Sequence, residues 1–254
     1  MKILLYVLSF CFVCSLTPTL EASHDIFFRG KTERALDIYF LPVNHPLQTP
    51  LNTLLTSLSI FRSPSSLRKE GFSVKEGHQL LMVAAHPAIQ GYLIKKFSGK
   101  KHTKKENDNF LKRLKGAEKI RQAIQQHKCK HLVVPEKWIY SIDSRHSYRK
   151  YFLIVEDMDV YDWDDPKGEL ENLYYNMDIE ILKELCTVLH AVGGCDAFPR
   201  NQPFTRSGKI AFVDTEHVGE KKDYFLIHIV PALNNDLQKY AIDLWAGLEE
   251  ESRR

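Results

Sequence analysis

Apolar residues recur along this chain in two rhythms, and the change of rhythm divides it. Between Gly71 and Glu156 they come in strand-length runs, "HQLLMVAAHP", "GYLIKKF", "HLVVPEKWIYSI" and "YFLIVE", rich in Val, Ile, Tyr and Phe and bounded by turn residues. One segment interrupts them: "NFLKRLKGAEKIRQAIQQ" sets Phe110, Leu111, Leu114, Ala117, Ile120 and Ile124 at helical spacing. Strands, one helix and more strands predict a small sheet with a helix packed on it.

After the acidic stretch "EDMDVYDWDDP" the pattern turns helical. "DIEILKELCTVLHAVGG" predicts a helix with Ile179, Leu182, Leu185, Cys186 and Leu189 on one face and Gly193 and Gly194 as its stop. The strand-like "GKIAFVD" follows. "NDLQKYAIDLWAGLEEE" closes the chain as an amphipathic helix carrying Leu237, Tyr240, Ala241, Leu244 and Leu248. Ahead of Gly71 the period is weak and Pro42, Pro46, Pro50 and Pro64 break the chain; "NTLLTSLSIF" predicts a short helix and "RSPSS" a loop.

The start, "MKILLYVLSFCFVCSLTPTLEAS", has Lys2, an apolar run from Ile3 to Leu16, Pro18 and a small residue at Ala22. This is the layout of a secretory signal peptide, and the run is short for a span of about 20 residues. The expectation is a secreted or extracytoplasmic protein; the alternative is an uncleaved anchor. Cys11 and Cys14 fall in this leader, so their spacing is not a redox or zinc motif. Cys129, Cys186 and Cys195 remain, an odd number that allows at most one internal disulfide.

Composition is that of a globular protein, with 44% hydrophobic and 26% charged residues in 254. A formal charge of +3 is too small to point to nucleic acid. The basic run "KKFSGKKHTKKENDNFLKRLK" lacks the aromatic interleaving of single-strand binders and reads as a solvated loop and outer helix face. "HKCKH" puts His127, Cys129 and His131 at alternating positions that on a strand would share a face, but a fourth zinc ligand is not evident.

One stretch carries candidate chemistry: "CDAFPRNQPFTRSGKIAFVDTE", with Asp196, Asn201 five residues later, and Asp214 after an apolar run. Taken with the preceding order of strand-rich part, acidic connection and long helix, it resembles the protein-kinase-like superfamily, including the small-molecule phosphotransferases of aminoglycoside-kinase type. The resemblance covers most of the chain from about Gly71 and implies an α+β, two-lobed fold. In that reading residues 1–22 are the signal peptide, 23–66 an N-terminal extension, 67–157 a strand-rich N-lobe and 158–254 a short, mainly helical C-lobe.

The resemblance also implies roles. Asp196 matches the catalytic aspartate that orients an attacking hydroxyl. Asn201 and Asp214 match the Mg²⁺ ligands, hard oxygen donors suited to a metal on nucleotide phosphates. Lys95 matches the phosphate-contacting lysine; Lys96 points to the other face of a strand, so only one of the two serves. Glu118 is matched to the glutamate that pairs with that lysine, and Glu156 to Met158 to the connection whose backbone meets adenine. Glu216 matches an acidic residue that small-molecule kinases carry two places after the metal-binding aspartate.

Ligands implied are ATP and Mg²⁺, and the partner is a protein or small molecule offering a hydroxyl. Two functional readings stay open. One is a kinase-like protein that binds Mg-ATP and transfers phosphate. The other is a pseudokinase-like interaction module: no G-x-G-x-x-G precedes Lys95, "GCD" stands where protein kinases have His-Arg-Asp, and Phe198 occupies a lysine position for which Arg200 is the candidate substitute. A secretory leader, sending the chain where ATP is scarce, leans toward the second. A third expectation is an unrelated α+β secreted protein using its basic run for adhesion.

Overall fold

The computed structural model describes residues 31–56, 63–76, 81–97, 103–142, 151–162 and 164–254. The leader, and with it the signal-peptide expectation, lies outside the described residues, as does Gly77. The elements are α1 (Lys31–Leu36), α2 (Gln48–Leu54), α3 (Pro64–Lys69), β1 (Ser73–Glu76), β2 (Leu81–Ala85), β3 (Tyr92–Phe97), α4 (Thr103–Gln126), β4 (Leu132–Val133), β5 (Lys137–Ser141), β6 (Tyr151–Glu156), α5 (Glu169–Tyr175), α6 (Ile179–Ala191), β7 (Ile210–Ala211) and α7 (Asn235–Glu251). The architecture is α+β.

Five strands make an antiparallel sheet in the order β1-β2-β3-β6-β5. Strand β6 is apolar without alternation because both of its faces are covered. Phe152 and Ile154 join Met82, Ala84 and Ile94 on one face, where Leu41, Leu47, Leu51, Leu55 and Leu67 pack from the N-terminal segment. Leu153 and Val155 face the other way, onto Phe110 and Leu114 of α4 and Leu36 of α1. The segment before Gly71 thus supplies core to both faces. "RSPSS" is not a loop throughout: Pro64 opens α3, whose Ser63 cap accepts from the Ser66 amide.

Helix α4 is the strut of the molecule, about 36 Å long at 1.5 Å per residue. Its first half packs on the sheet; Ala117, Ile120 and Ala123 in its second half enter the core of the helical part, with Leu182, Leu185, Cys186 and Leu189 of α6 and Trp245 of α7. Two inward faces differ from expectation. Ile179 is exposed because it stands at the first turn of α6, and Trp245 rather than Leu248 is the buried anchor of α7, stacked on Phe225 at 4.9 Å.

A two-stranded parallel ladder, β4 with β7, ties the end of α4 to the polar loop that follows α6. The strand expected over "GKIAFVD" is only Ile210–Ala211, so Asp214 lies three residues beyond it. "HKCKH" is a turn rather than a strand: Lys128 has φ 55°, which breaks the alternation that would bring His127, Cys129 and His131 to one face.

Candidate functional site

Strand register decides between the two adjacent lysines. Lys95 is paired with Val83 and Leu153, and Lys137 of β5 with Val155. Paired residues share a face, so both lysines point to the side of the sheet that carries α4. Lys96 points the other way, against Phe152, and is buried with Glu106 at 2.8 Å while donating to the Tyr151 carbonyl at 2.7 Å. Lys95 is therefore the lysine that faces Asp214.

Asp214 sits at the centre of five ionisable groups. Arg113, on α4, donates from Nη1 to Asp214 Oδ1 at 2.6 Å and from Nη2 to Glu216 Oε2 at 2.5 Å. Between these carboxylates Thr215 is fully buried: its hydroxyl donates to the Arg113 carbonyl at 2.5 Å and accepts from Lys137 Nζ at 2.7 Å. Lys95 Nζ donates to the Val213 carbonyl at 3.3 Å. Three basic side chains thus surround two carboxylates. Asp214 is the most open member, its side chain 29% exposed against 7% for Arg113.

The proton affinities follow from that charge count. Burial lowers Lys95 to about 8, with the Arg113 charge adding to the effect and Asp214 opposing it. Burial, then the charge of Lys95, holds Lys137 well below the ordinary lysine value. Burial alone would raise Asp214, but Arg113, Lys95 and Lys137 together hold it at about 2.

A glycine makes the cluster possible. A β-carbon on Gly116 would lie 2.0 Å from the Thr215 carbonyl oxygen, so only glycine lets α4 close on the 214–216 segment. One turn earlier on the same stripe, Arg113 reaches both carboxylates.

The second acidic group lies in the loop after α6. Gly194, at φ 81°, has no room for a β-carbon against the Lys221 backbone, and its carbonyl accepts from the Gly219 amide at 2.7 Å. This close approach delivers Lys221 Nζ to Asp196 Oδ1 at 2.7 Å. Asn201 Nδ2 donates to the Asp196 carbonyl at 2.9 Å, and the Val213 amide donates to the Asn201 carbonyl at 3.1 Å, linking this loop to the Asp214 segment. Arg200 lies instead over the Phe198 ring at 4.9 Å, and Phe198 stacks on His228 at 3.9 Å. The cation on Asp196 is Lys221. Its own proton affinity is raised: burial acts against this, but the bond to Asp196 outweighs it.

The remaining expectations fare unevenly. Glu118 does not meet Lys95; its carboxylate accepts from the Tyr39 hydroxyl at 2.7 Å, and it lines a cleft of about 180 Å³ with Tyr39, Arg121 and Trp138. The helix position that serves the site is Arg113, of opposite charge. Glu156 ends β6, where its amide donates to the Glu136 carbonyl and its carboxylate accepts from the Glu136 amide. Met158 is half-buried in the segment that leaves β6. That connection is tied at both ends, Asp157 to Gly91 by backbone and Asp162 to Lys75 by an ion pair.

Arg113 and Lys137 left a trace in the sequence: Arg113 falls three residues after Phe110 on the apolar stripe of α4, and Lys137 alternates with buried Ile139. Lys221 left none. Cys129, Cys186 and Cys195 are free, and burial pushes the Cys195 thiol up, away from a nucleophilic thiolate. His190 meets Trp245 edge-on and approaches Glu249, so it does not serve Cys195.

Of the two groups assigned to Mg²⁺, Asn201 is engaged through Nδ2, on the Asp196 carbonyl. Asp214 Oδ1 is taken by Arg113 and by the Glu216 amide at 3.2 Å, so the guanidinium already supplies it a counter-charge. Among the described residues, no three of His, Cys, Asp and Glu are arranged to hold a metal ion, and no helix is long and apolar enough to cross a membrane. No protein-family model and no curated protein sequence matches this chain.

Proposed function

We propose that this chain is a kinase-like protein that holds the phosphates of ATP between its sheet and its helical part, as a pseudokinase-like binding module rather than a phosphotransferase. The observation that carries this reading is the convergence of Lys95, Lys137 and Arg113 on the Asp214 segment, three basic side chains on the inner face of the sheet. Such a grouping suits a polyanion. The same convergence argues against transfer, since Asp214 is engaged by a guanidinium.

The direct test is calorimetric titration with ATP and with adenosine, beside Lys95→Met. ATP is expected to bind, adenosine to bind far more weakly, and the variant to lose about tenfold or more in affinity. Failure of the folded wild-type protein to bind ATP overturns the proposal.

A second reading, transfer to a hydroxyl on a protein or small molecule, is favoured by one feature: Asp196 is 23% exposed and only Oδ1 is held by Lys221. Its second oxygen, 3.4 Å from Asn201 Nδ2, remains able to take a hydroxyl proton. Labelled phosphate appearing on an acceptor, and lost in Asp196→Ala, would establish it over the first.

A further inference from the structure

The cluster around Asp214 carries a consequence for the metal. In a site that binds Mg-nucleotide, carboxylates present free oxygens and the metal neutralises the phosphates. Here the positive charge is supplied by the chain itself. Arg113 spans Asp214 and Glu216, Lys137 is anchored on Thr215 between them, and Lys95 reaches in from β3. Arg113 is nearly fully buried, and its Nε has no hydrogen-bond partner. A divalent cation approaching the exposed side of Asp214 meets Arg113 and Lys95 beside it; a phosphate chain approaching the same side meets donors it pairs with. We propose that this site binds a polyphosphate without a divalent metal, Lys95, Lys137 and Arg113 supplying the donors that pair with it.

This inference rests on the phosphate-binding reading of the site but not on the identity of the base. The shared chemistry is a chain of phosphates, which either a nucleoside triphosphate or an inorganic polyphosphate offers. Magnesium on the phosphates lowers their charge and so removes part of what the lysines and Arg113 attract.

The experiment is calorimetric titration of the full chain with ATP and, separately, with inorganic tripolyphosphate, each in EDTA and each with excess Mg²⁺. The expected result is that ATP binds in EDTA at least as tightly as with Mg²⁺, and binding weaker in EDTA than with Mg²⁺ overturns the inference. Binding of tripolyphosphate in EDTA without binding of ATP supports the metal-free site and overturns the nucleotide proposal. Binding of ATP only with Mg²⁺ overturns this inference and leaves the nucleotide proposal standing. Binding of neither in any condition overturns both. Asp214→Asn adds a second discriminant. Removing the competing carboxylate is expected to tighten ATP binding in EDTA several-fold, whereas a metal ligand would lose binding on the same change. Should that variant fail to fold, the wild-type comparison with and without Mg²⁺ still decides.

Discussion

Gly116 of α4 faces the Thr215 carbonyl so closely that a β-carbon would stand 2.0 Å from the oxygen. An alanine in a helix normally gains about 1 kcal/mol over glycine, but overpacking against backbone costs about 1–3 kcal/mol and here displaces a charged network. Gly116→Ala is therefore expected to destabilise the fold by about 2 kcal/mol. Gly247→Ala in α7, where nothing lies within 4 Å, is the control and is expected to stabilise by up to about 1 kcal/mol. Urea unfolding of both variants checks the opposite signs.

Asp214→Asn removes the carboxylate at the centre of three basic side chains. Asp214 is partly open and Arg113 keeps Glu216, so the expected loss at neutral pH is about 2 kcal/mol, below that of a fully buried pair. The pH dependence has a definite sign. Asp214 is held at about 2, below its ordinary 3.8, so its contribution is complete above pH 3.8 and is lost as pH falls toward 2. The variant is expected to lack this part of the acid limb, measured as the difference between the two stability curves.

Lys95 titrates in the opposite sense. Its folded value of about 8 lies below the ordinary 10.5, so the unfolded chain holds the proton more tightly and stability rises with pH between them. Lys137 adds to this rise. The thiols oppose it from their ordinary value of 9.0 upward, Cys129 having been pushed up to about 11. The interval between pH 8 and 9 is thus where the lysines act without the thiols. Relative to wild type, Lys95→Met is expected to flatten the slope there by at most about 1.4 kcal/mol per pH unit. Chemical denaturation across that interval is the measurement.

Lys96 and Glu106 form a separate ion pair, 3% and 4% exposed. Lys96→Met leaves a buried carboxylate without its counter-charge and is expected to cost about 3 kcal/mol. Combining it with Glu106→Leu should restore most of that loss, because an apolar pair of similar volume avoids the desolvation of both charges. A double-mutant cycle by thermal unfolding gives the coupling directly.

The legibility of this protein in its sequence varied with the range of the interaction involved. The apolar runs of β2, β3 and β6 and the stripes of α4 and α6 were readable, because burial imposes a period on neighbouring residues, whereas the single run "HLVVPEKWIYSI" is split at Pro135 into β4 and β5 of different sheets. The weakly periodic segment before Gly71 was not, since its leucines are divided between the two faces of a sheet formed elsewhere. Within the site, Asp196, Asn201 and Asp214 were grouped through a family resemblance, and in the structure Asn201 links the Asp196 loop to the Asp214 segment. The charge partners were not. Glu118 had the expected sign on the expected helix, yet its rotation about the helix axis aims it at Tyr39, while Arg113 takes the inward position.

Periodicity and turn chemistry were enough to establish an α+β chain with one long helix between strands, because those signals are written within a few residues of where they act. Which charges meet was settled by folding alone. Arg113 and Asp214 are 101 residues apart in sequence and Lys221 is 25 from Asp196, and their contacts exist because Gly116 and Gly194 let backbones approach where any side chain would hold them apart. A Coulombic partner is selected by distance in space, and that distance is a property of packing.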